Sequence, residues 1–374
     1  MKQAKSSNTS FSELKSEFQE FLDHIVDGSK NVYNAVLLVE SPQIKWKGAR
    51  GMADPDGKVP MVADDQFFTA STAKMMTATL AMMLVERGHI NLDDKIQYYL
   101  SESIMNGLHE YQGQSYEDRI CIRHLLNHTS GLGDNWSDPR FMQQIIEEPD
   151  RFWNPEETIQ YVKQNILPHF PPGHDFRYSD INYNLVGLII ETVTEMQLHR
   201  VYRELLLDTL GMNHTYRPFY EEPRPSIAGR LPSHCFAGDL DYTGFRSLSA
   251  DWAGGGLQTT TEDLNRFIRA FAKNIIFTNP STRDEMLKGI KIDEGTYYGL
   301  GVVRCVFDEL KEPKFAGLGE IWGHQGASGS FMYYWLDEDV SICGTLNQEE
   351  CQGRIGEIVA DIMMMIREWS KELH

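Results

Sequence analysis

The chain has 374 residues, 41% of them hydrophobic, so it can bury a large core and form two domains or one domain with a large insertion. Its formal net charge of −19 disfavours nucleic acid and anionic membrane surfaces as partners. The five cysteines contain no CxxC pair, so neither a zinc site nor a complete disulfide set is expected.

Neither a signal peptide nor a membrane span is predicted from the sequence. The first ten residues are polar and lack the apolar core of a signal peptide, and no run approaches the roughly 18 apolar residues that a membrane span needs. Scattered cysteines fit buried thiols in a reducing compartment. We therefore expect a cytoplasmic protein, or a periplasmic or secreted one if a signal was removed from this sequence.

The two ends of the chain predict helices and strands, whereas the middle predicts mainly helices. Apolar residues recur at helical spacing from Phe11 to Ile25 and from Ile355 to Trp369. Short β-rich runs predict strands at 34–40, 44–48, 298–307, 328–336 and 340–346. Helical periodicity covers 77–87, 155–165, 185–194, 200–207 and 262–273.

This distribution predicts an α+β protein with an antiparallel sheet flanked by the N- and C-terminal helices. Residues 1–75 and 291–374 would form a discontinuous α/β domain, and residues 76–290 a mostly helical inserted domain. A cleft at such a boundary is a favoured place for a functional site.

The segment Ser71-Thr72-Ala73-Lys74 stands at the head of an apolar run from Met75 to Val85. If the run is a helix, the hydroxyl of Ser71 and the amine of Lys74 share one face. A serine hydroxyl needs activation by a nearby base, and a lysine supplies it only where its pKa is lowered. The same spacing occurs at Ser12 and Lys15, but that segment is polar and has nothing to exclude water.

Three later segments carry further candidate residues. Tyr178 follows a Pro-Gly turn and precedes an apolar helical run, which places it at an element boundary. His324 and Gly326 lie in a segment of small residues that a ligand backbone could approach closely. The third segment, His124-Leu125-Leu126-Asn127-His128-Thr129-Ser130-Gly131-Leu132, precedes both of the others.

In this order, the segments resemble the serine β-lactamase and penicillin-binding protein superfamily, in the branch of class C β-lactamases, D-Ala-D-Ala carboxypeptidases and related esterases. That superfamily has SxxK, then Y-x-N, then K-T-G or H-x-G, which correspond here to Ser71–Lys74, Tyr178–Asp180 and His324–Gly326. Further matches are Leu125–Leu132, Gly255-Gly256-Leu257 before a Thr-capped helix, and Tyr298-Gly299-Leu300-Gly301. The resemblance implies the β-lactamase/transpeptidase-like fold.

The resemblance also implies roles for these residues. Ser71 would be the nucleophile that forms an acyl-enzyme, and Lys74 would shuttle its proton together with Tyr178, whose phenol can serve as a base if the ammonium lowers its pKa. The backbone N–H groups of Ser71 and Ala327 would form the oxyanion hole. Asp180, His324 and Gly326 would contact the substrate, and no cofactor is expected.

Two positions depart from the superfamily pattern. Asp180 replaces the asparagine of Y-x-N, and because an ionised carboxylate only accepts hydrogen bonds it would hold Lys74 charged. Asn182 could take over the role of the missing amide. His324 replaces the lysine of K-T-G, and a neutral histidine attracts a substrate carboxylate less well than lysine does.

Simpler structural roles remain open for several residues. Asp180 can cap the helix that begins near Asn182, Tyr178 can be a boundary tyrosine, and His324 can be a hydrogen-bonded structural histidine. His124 and His128 have the spacing of a zinc pair but lack the glutamate of HExxH, so no metal is expected. The glycines at 254–256 predict a tight turn rather than a phosphate loop.

The sequence therefore predicts a serine hydrolase that cleaves an ester or amide, of the carboxylesterase or D-amino-acid peptidase/carboxypeptidase type. β-Lactamase or penicillin-binding activity is one alternative, and a non-catalytic binding protein that keeps the fold is another. The expected partner is a small-molecule or peptide-like substrate. The oligomeric state is left open.

Overall fold

The computed structural model describes residues 2–372, with side chains from Phe11 onward. The domain limits predicted at residues 1 and 374 lie outside the described residues. Within the described part of the chain, the α-helices in chain order are α1 Lys2–Asp27, α2 Lys74–Glu86, α3 Glu102–Met105, α4 Ile122–Leu126, α5 Pro139–Glu147, α6 Pro155–Asn165, α7 Ile181–Thr194, α8 Leu198–Tyr202, α9 Thr261–Ala272, α10 Pro280–Leu287 and α11 Ile355–Glu372.

The strands divide between one large sheet and three short two-stranded pairs. In chain order they are β1 Asn34–Glu40, β2 Lys45–Asp54, β3 Val59–Pro60, β4 Phe67–Phe68, β5 Glu110–Tyr111, β6 Gln114–Ser115, β7 Phe236–Ala237, β8 Leu240–Asp241, β9 Gln258–Thr259, β10 Ile290–Asp293, β11 Thr296–Tyr298, β12 Val303–Val306, β13 Glu320–Gln325, β14 Ser330–Trp335 and β15 Val340–Thr345.

The large sheet joins the two ends of the chain. Its strand order is β10-β11-β12-β13-β14-β15-β1-β2-β3, and its neighbouring strands are all antiparallel. The first strand lies between β15 and β2, with Leu38 opposite Cys343 on one side and Lys47 on the other. The predicted antiparallel sheet flanked by the terminal helices is therefore confirmed.

Both faces of the central sheet are buried, because successive side chains point to opposite faces and those of β1, β14 and β15 are buried almost without interruption. In β14, Phe331 and Tyr333 pack with α1 and α11, whereas Met332 and Tyr334 belong to the larger core formed with α2, α7 and α9. The sheet thus separates two hydrophobic cores, and α2 lies inside the larger one.

The predicted strand at 298–307 is split into β11 and β12. Gly299 to Val302 form the break, and Gly301 adopts a left-handed φ of 73°. A side chain at Gly301 would overlap Ala78 of α2, so the turn packs directly on that helix. Strands β10 and β13 were not predicted, because β10 is exposed along its length and β13 contains Gly323.

Helix starts follow ordinary capping chemistry in several places. At α6 the side chain of Asn154 accepts from the backbone N–H of Glu157, whose own side chain accepts from the N–H of Asn154. At α9 Thr260 accepts from Asp263. Among the described helices, none is long and apolar enough to cross a membrane.

Candidate active site

Ser71 lies in a short 3₁₀ turn, Ala70–Ala73, that continues directly into α2. Ala70 has a positive φ of 43°, an unfavourable conformation for a residue with a Cβ. The turn after β13 packs against it, because a side chain at Gly326 would overlap Thr69 and lie 3.2 Å from the Ala70 Cβ. Ser330 and Ser328 also donate hydrogen bonds to the carbonyls of Thr69 and Phe68. Packing of the strand turn therefore holds Ser71 in place.

Lys74, at the first position of α2, is completely buried. Its Nζ donates to Ser71 Oγ at 2.9 Å, to the carbonyl of Gly254 at 2.7 Å and to Asp180 Oδ1. An ammonium has three protons to donate, and these three acceptors use all of them. The geometry is that of a charged lysine at rest.

The electrostatics of the pocket favour the same charge state. Burial by itself lowers the pKa of Lys74, but the charge of Asp180, the hydrogen bond that Asp180 accepts and the charge of Asp251 outweigh burial and raise this pKa well above its usual range. Lys74 therefore cannot accept the proton of Ser71 at neutral pH without first losing one of its own.

Asp180 directly precedes α7, but its side chain makes no capping hydrogen bond to that helix. It is turned toward Lys74, and its backbone N–H donates to Asp134 Oδ1 at 3.0 Å. Charge pairing with Lys74, and not helix capping, is what the side chain does.

Asn182 does not replace the missing asparagine of Y-x-N. Its Oδ1 accepts from Ser130 at 2.6 Å, and its Nδ2 lies 3.1 Å from His128 Nδ1. Both groups belong to the buried loop beneath the site, so the amide is directed away from Lys74.

Two further buried carboxyls surround Lys74, and the sequence had not singled them out. Burial raises the pKa of Asp134 and of Asp251, and the Asp180 charge raises both further, while the Lys74 ammonium only partly opposes the rise. Their sequence signals are weak: Asp134 follows the His-Thr-Ser-Gly-Leu-Gly segment, and Asp251 precedes the glycine run. The buried ammonium of Lys74 thus lies near three acidic side chains, and the buried guanidinium of Arg217 also acts on Asp251.

The glycine run at 254–256 brings the backbone close to Lys74 and to the carboxyls around it. A Cβ on Gly254 would lie 2.8 Å from Asp180 Oδ1, 3.1 Å from Asp251 Oδ1 and 3.4 Å from Lys74 Nζ. A Cβ on Gly255 would overlap Asp251, which accepts a hydrogen bond from Gly256 N–H. The run is the predicted tight turn, and its glycines allow the carbonyl of Gly254 to reach Lys74.

Tyr178 lies beside Lys74, whose Nζ is 5.0 Å from the centroid of its ring. Its ring stacks on His128 at 4.2 Å, and its hydroxyl has no hydrogen-bond partner among the described residues. Burial raises the pKa of Tyr178 and the Asp180 charge adds to it, although the Lys74 ammonium acts in the opposite direction. The condition under which Tyr178 could serve as a base, a lowered pKa, is therefore not met, and Tyr178 is a neutral phenol at rest.

His324 is fixed in a buried hydrogen-bond chain. Its Nδ1 is 2.7 Å from the carbonyl of Gln325, which can only accept, so Nδ1 carries the proton and Nε2 accepts from Tyr298 at 3.1 Å. The Tyr298 hydroxyl in turn accepts from His128 Nε2 at 3.1 Å, because Nδ1 of His128 accepts from Ser179 N–H. Burial lowers the pKa of His324 to about 3, and Lys74 contributes to this lowering.

The predicted oxyanion donors lie on two neighbouring elements, the Ser71 turn and the loop after β13. Neither the N–H of Ser71 nor that of Ala327 donates to another described residue, whereas Gly326 N–H is used by Ser330 O. Ala327 and Ser71 both line the same cleft. Each of these two cleft residues therefore has a backbone N–H that no described residue uses.

The cleft above Ser71 has a volume of about 910 Å³. Tyr178, Asp180 and His324 line it together with Ser71 and Ala327, whereas Lys74 lies beneath its floor. Among the residues with described side chains, no group of three His, Cys, Asp or Glu residues could hold a metal ion. His124 accepts from Cys121 N–H instead, and His128 belongs to the Tyr298 chain.

The fold and the order of these elements are those of the β-lactamase/transpeptidase-like class. The chain belongs to the Beta-lactamase family, whose model matches residues 18–355. A solved D-amino acid amidase from Ochrobactrum anthropi SV3, in complex with L-phenylalanine amide, has a TM-score of 0.79 at 24% identity, covering 95% of this chain and 99% of that one.

Two curated relatives are similar to the chain over different shares of its length. The chain is 25% identical over 349 residues to Penicillin-binding protein 4* of Bacillus subtilis strain 168, covering 86% of this chain and 70% of that protein. It is 28% identical over 209 residues, 54% of its length, to Protein flp of Staphylococcus aureus strain N315, and this match spans only 39% of that relative.

Proposed function

We propose that the protein is a serine hydrolase that cleaves an ester or amide through an acyl-enzyme on Ser71. The observation that carries this proposal is the hydrogen bond of 2.9 Å between the buried Lys74 Nζ and Ser71 Oγ at the floor of a cleft. Family membership supports hydrolysis as the reaction class, and the fold likeness to an amidase supports an amide or ester as the bond that is cleaved.

The reaction begins when Lys74 loses a proton and can accept the one on Ser71 Oγ. The Oγ then attacks the carbonyl carbon, and the N–H groups of Ser71 and Ala327 hold the negative charge that develops on the carbonyl oxygen. Tyr178, a neutral phenol beside Lys74, relays the proton to the leaving group. Water enters in the second half of the reaction and releases the acid.

The test compares two serines that both stand in an SxxK pattern. Ser71→Ala should abolish hydrolysis of a p-nitrophenyl ester, while Ser12→Ala, on the exposed face of α1, should leave it unchanged. A fluorophosphonate probe should form an adduct that mass spectrometry locates on Ser71. Hydrolysis by the purified Ser71→Ala protein at the unmodified rate would rule out the proposal.

A non-catalytic binding role is the second candidate, favoured by the ion pair that holds Lys74 charged. In that case neither the probe nor a fluorescent penicillin would label Ser71 at any pH, although ligands would still bind. Efficient β-lactamase activity is disfavoured because Asp180 and His324 replace the asparagine and lysine of the related pattern. Turnover of nitrocefin at the rate of a dedicated β-lactamase would reverse that ranking.

A further inference from the structure

We infer that the cleft selects a substrate with a bulky apolar group and no carboxylate. This inference names the substrate class for the proposed hydrolysis at Ser71 and rests on that proposal. The inference follows from three separate features of the cleft: an apolar wall, the state of His324 and the distribution of charge.

The wall formed by α5 and the loop before Asp251 is apolar. It is lined by Trp136, Met142, Ile145, Ile146, Phe245 and Leu248. Ile146 is 44% exposed, and Trp136 and Leu248 pack on the small core that contains Phe141 and Trp153. Large apolar side chains exposed around a concave site favour an apolar ligand group that removes them from water.

No cation is available in the cleft to hold a carboxylate. Of the described residues that line it, none is lysine or arginine. The nearby ammonium of Lys74 is buried beneath the floor and already paired with Asp180. Position 324, where the related pattern has lysine, holds a histidine whose two ring nitrogens are both used in buried hydrogen bonds.

The remaining charge on the walls is negative. Asp293, Glu312, Glu349 and Glu357 line the cleft from elements other than α5 and form its acidic wall. Glu312 pairs with Lys314 at 3.4 Å, whereas Asp293, Glu349 and Glu357 form no ion pair with a described residue. A ligand carboxylate is repelled by this wall, and a neutral or cationic ligand is not.

Charge selection can be measured on esters of a rigid benzoyl group whose para substituent cannot reach its own ester carbonyl. We compare p-nitrophenyl 4-methylbenzoate, the p-nitrophenyl monoester of terephthalate and p-nitrophenyl 4-(aminomethyl)benzoate, which are neutral, anionic and cationic. The anionic ester should show kcat/KM at least about tenfold below the other two at low salt, and added salt should reduce the difference. Equal or faster turnover of the anionic ester would overturn the inference.

Binding separates this inference from the proposed chemistry. In Ser71→Ala protein, calorimetric titration of 4-phenylbutanamide, 4-phenylbutanoate and 4-phenylbutylamine measures selection without turnover. The carboxylate should bind about tenfold more weakly than the amide and the amine. If the wild-type protein hydrolyses no ester but its Ser71→Ala variant binds the three ligands in this order, the selection is supported while the proposed function fails. Comparable binding of all three would overturn the selection alone.

A charge reversal provides the matched control. Glu349→Lys should tighten binding of the carboxylate and weaken binding of the amine by about threefold or more each, leaving the amide within about twofold. Glu357→Lys is a second variant with the same expectation. Glu338→Lys makes the same exposed substitution in the turn between β14 and β15, outside the cleft lining, and should change none of the three affinities. No response to either cleft variant would contradict the inference.

Discussion

Asp180 raises the pKa of Lys74, and it is one of the two positions at which the site departs from the pattern that its sequence resembles. An asparagine could both donate and accept, but the aspartate only accepts and carries a charge. Its effect on Lys74 can be predicted from the sequence alone, because the two residues belong to motifs that meet in the resembled fold. The two additional carboxyls, Asp134 and Asp251, could not be predicted, since no motif marks them.

The pH dependence of hydrolysis tests this role. In the wild-type protein, Asp180 raises the pKa of Lys74, so the neutral amine forms only at alkaline pH and kcat/KM should rise on that side. In Asp180→Asn, that charge no longer outweighs the effect of burial, which lowers the pKa of Lys74. The rising limb of the kcat/KM profile should therefore move to lower pH by about one unit or more.

The matched control for this shift is Asp175→Asn, an exposed residue on the same loop before α7. Its pH profile should coincide with that of the wild-type protein. An Asp180→Asn protein with an unmoved rising limb would show that Asp180 does not set the ionisation that limits the rate.

Gly254 should be required because its backbone lies so close to Lys74, Asp180 and Asp251 that no room is left for a Cβ. In Gly254→Ala, the new Cβ would lie 2.8 Å from Asp180 Oδ1, and either the loop or the ion pair must shift. We expect kcat for ester hydrolysis to fall about tenfold or more because Lys74 loses its alignment with Ser71.

Gly57→Ala serves as its control, because there the new Cβ meets the half-buried side chain of Asp54 in the turn between β2 and β3, which does not line the cleft. Its kcat should stay at the wild-type value. Circular dichroism of both variants checks that they fold. A folded Gly254→Ala protein with wild-type kcat would contradict the role given to this glycine.

At the scale of secondary structure elements, β11 and β13 support the site through one hydroxyl. Tyr298 of β11 joins His128, on the loop after α4, to His324 of β13. The sequence indicated these three residues separately. Tyr298 belongs to the Tyr-Gly-Leu-Gly match, His128 to the possible zinc pair, and His324 to the expected substrate contacts. Their hydrogen bonds depend on strand register and could not be predicted from local patterns.

Removal of that hydroxyl should destabilise the fold. Tyr298→Phe leaves two buried imidazole nitrogens without their partner, and we expect the free energy of unfolding to fall by about 1–3 kcal/mol in urea titrations. Tyr297→Phe, one residue earlier on the opposite face of β11, loses only a surface contact to Glu309 and should change stability much less. Equal effects of the two substitutions would argue against the buried chain.

At the scale of the whole molecule, the two regions predicted from the sequence share one core. We propose, as the sequence suggested, that residues 1–75 with 291–374 and residues 76–290 form two topological units. The larger hydrophobic cluster nevertheless combines Met332, Tyr334 and Cys343 from the C-terminal strands with side chains of α2, α7 and α9. Neither unit buries this cluster without the other.

A single cooperative unfolding transition should therefore appear in scanning calorimetry of the full chain. The calorimetric and van't Hoff enthalpies of that transition should agree, and tryptophan fluorescence should follow the same midpoint. Two resolved transitions would show that the inserted region folds as an independent unit.

The sequence by itself determined which residues come together, because short motifs in a fixed order specify the proposed nucleophile, its lysine, the tyrosine and the strand that faces them. It also determined the main helices and most central strands, since the helices show apolar periodicity and strands buried on both faces are continuous apolar runs. Only the tertiary structure decided the neutral states of Tyr178 and His324 and placed Asp134 and Asp251 near Lys74. Both outcomes depend on burial and on residues far apart in the sequence, and no local pattern encodes the distance between them.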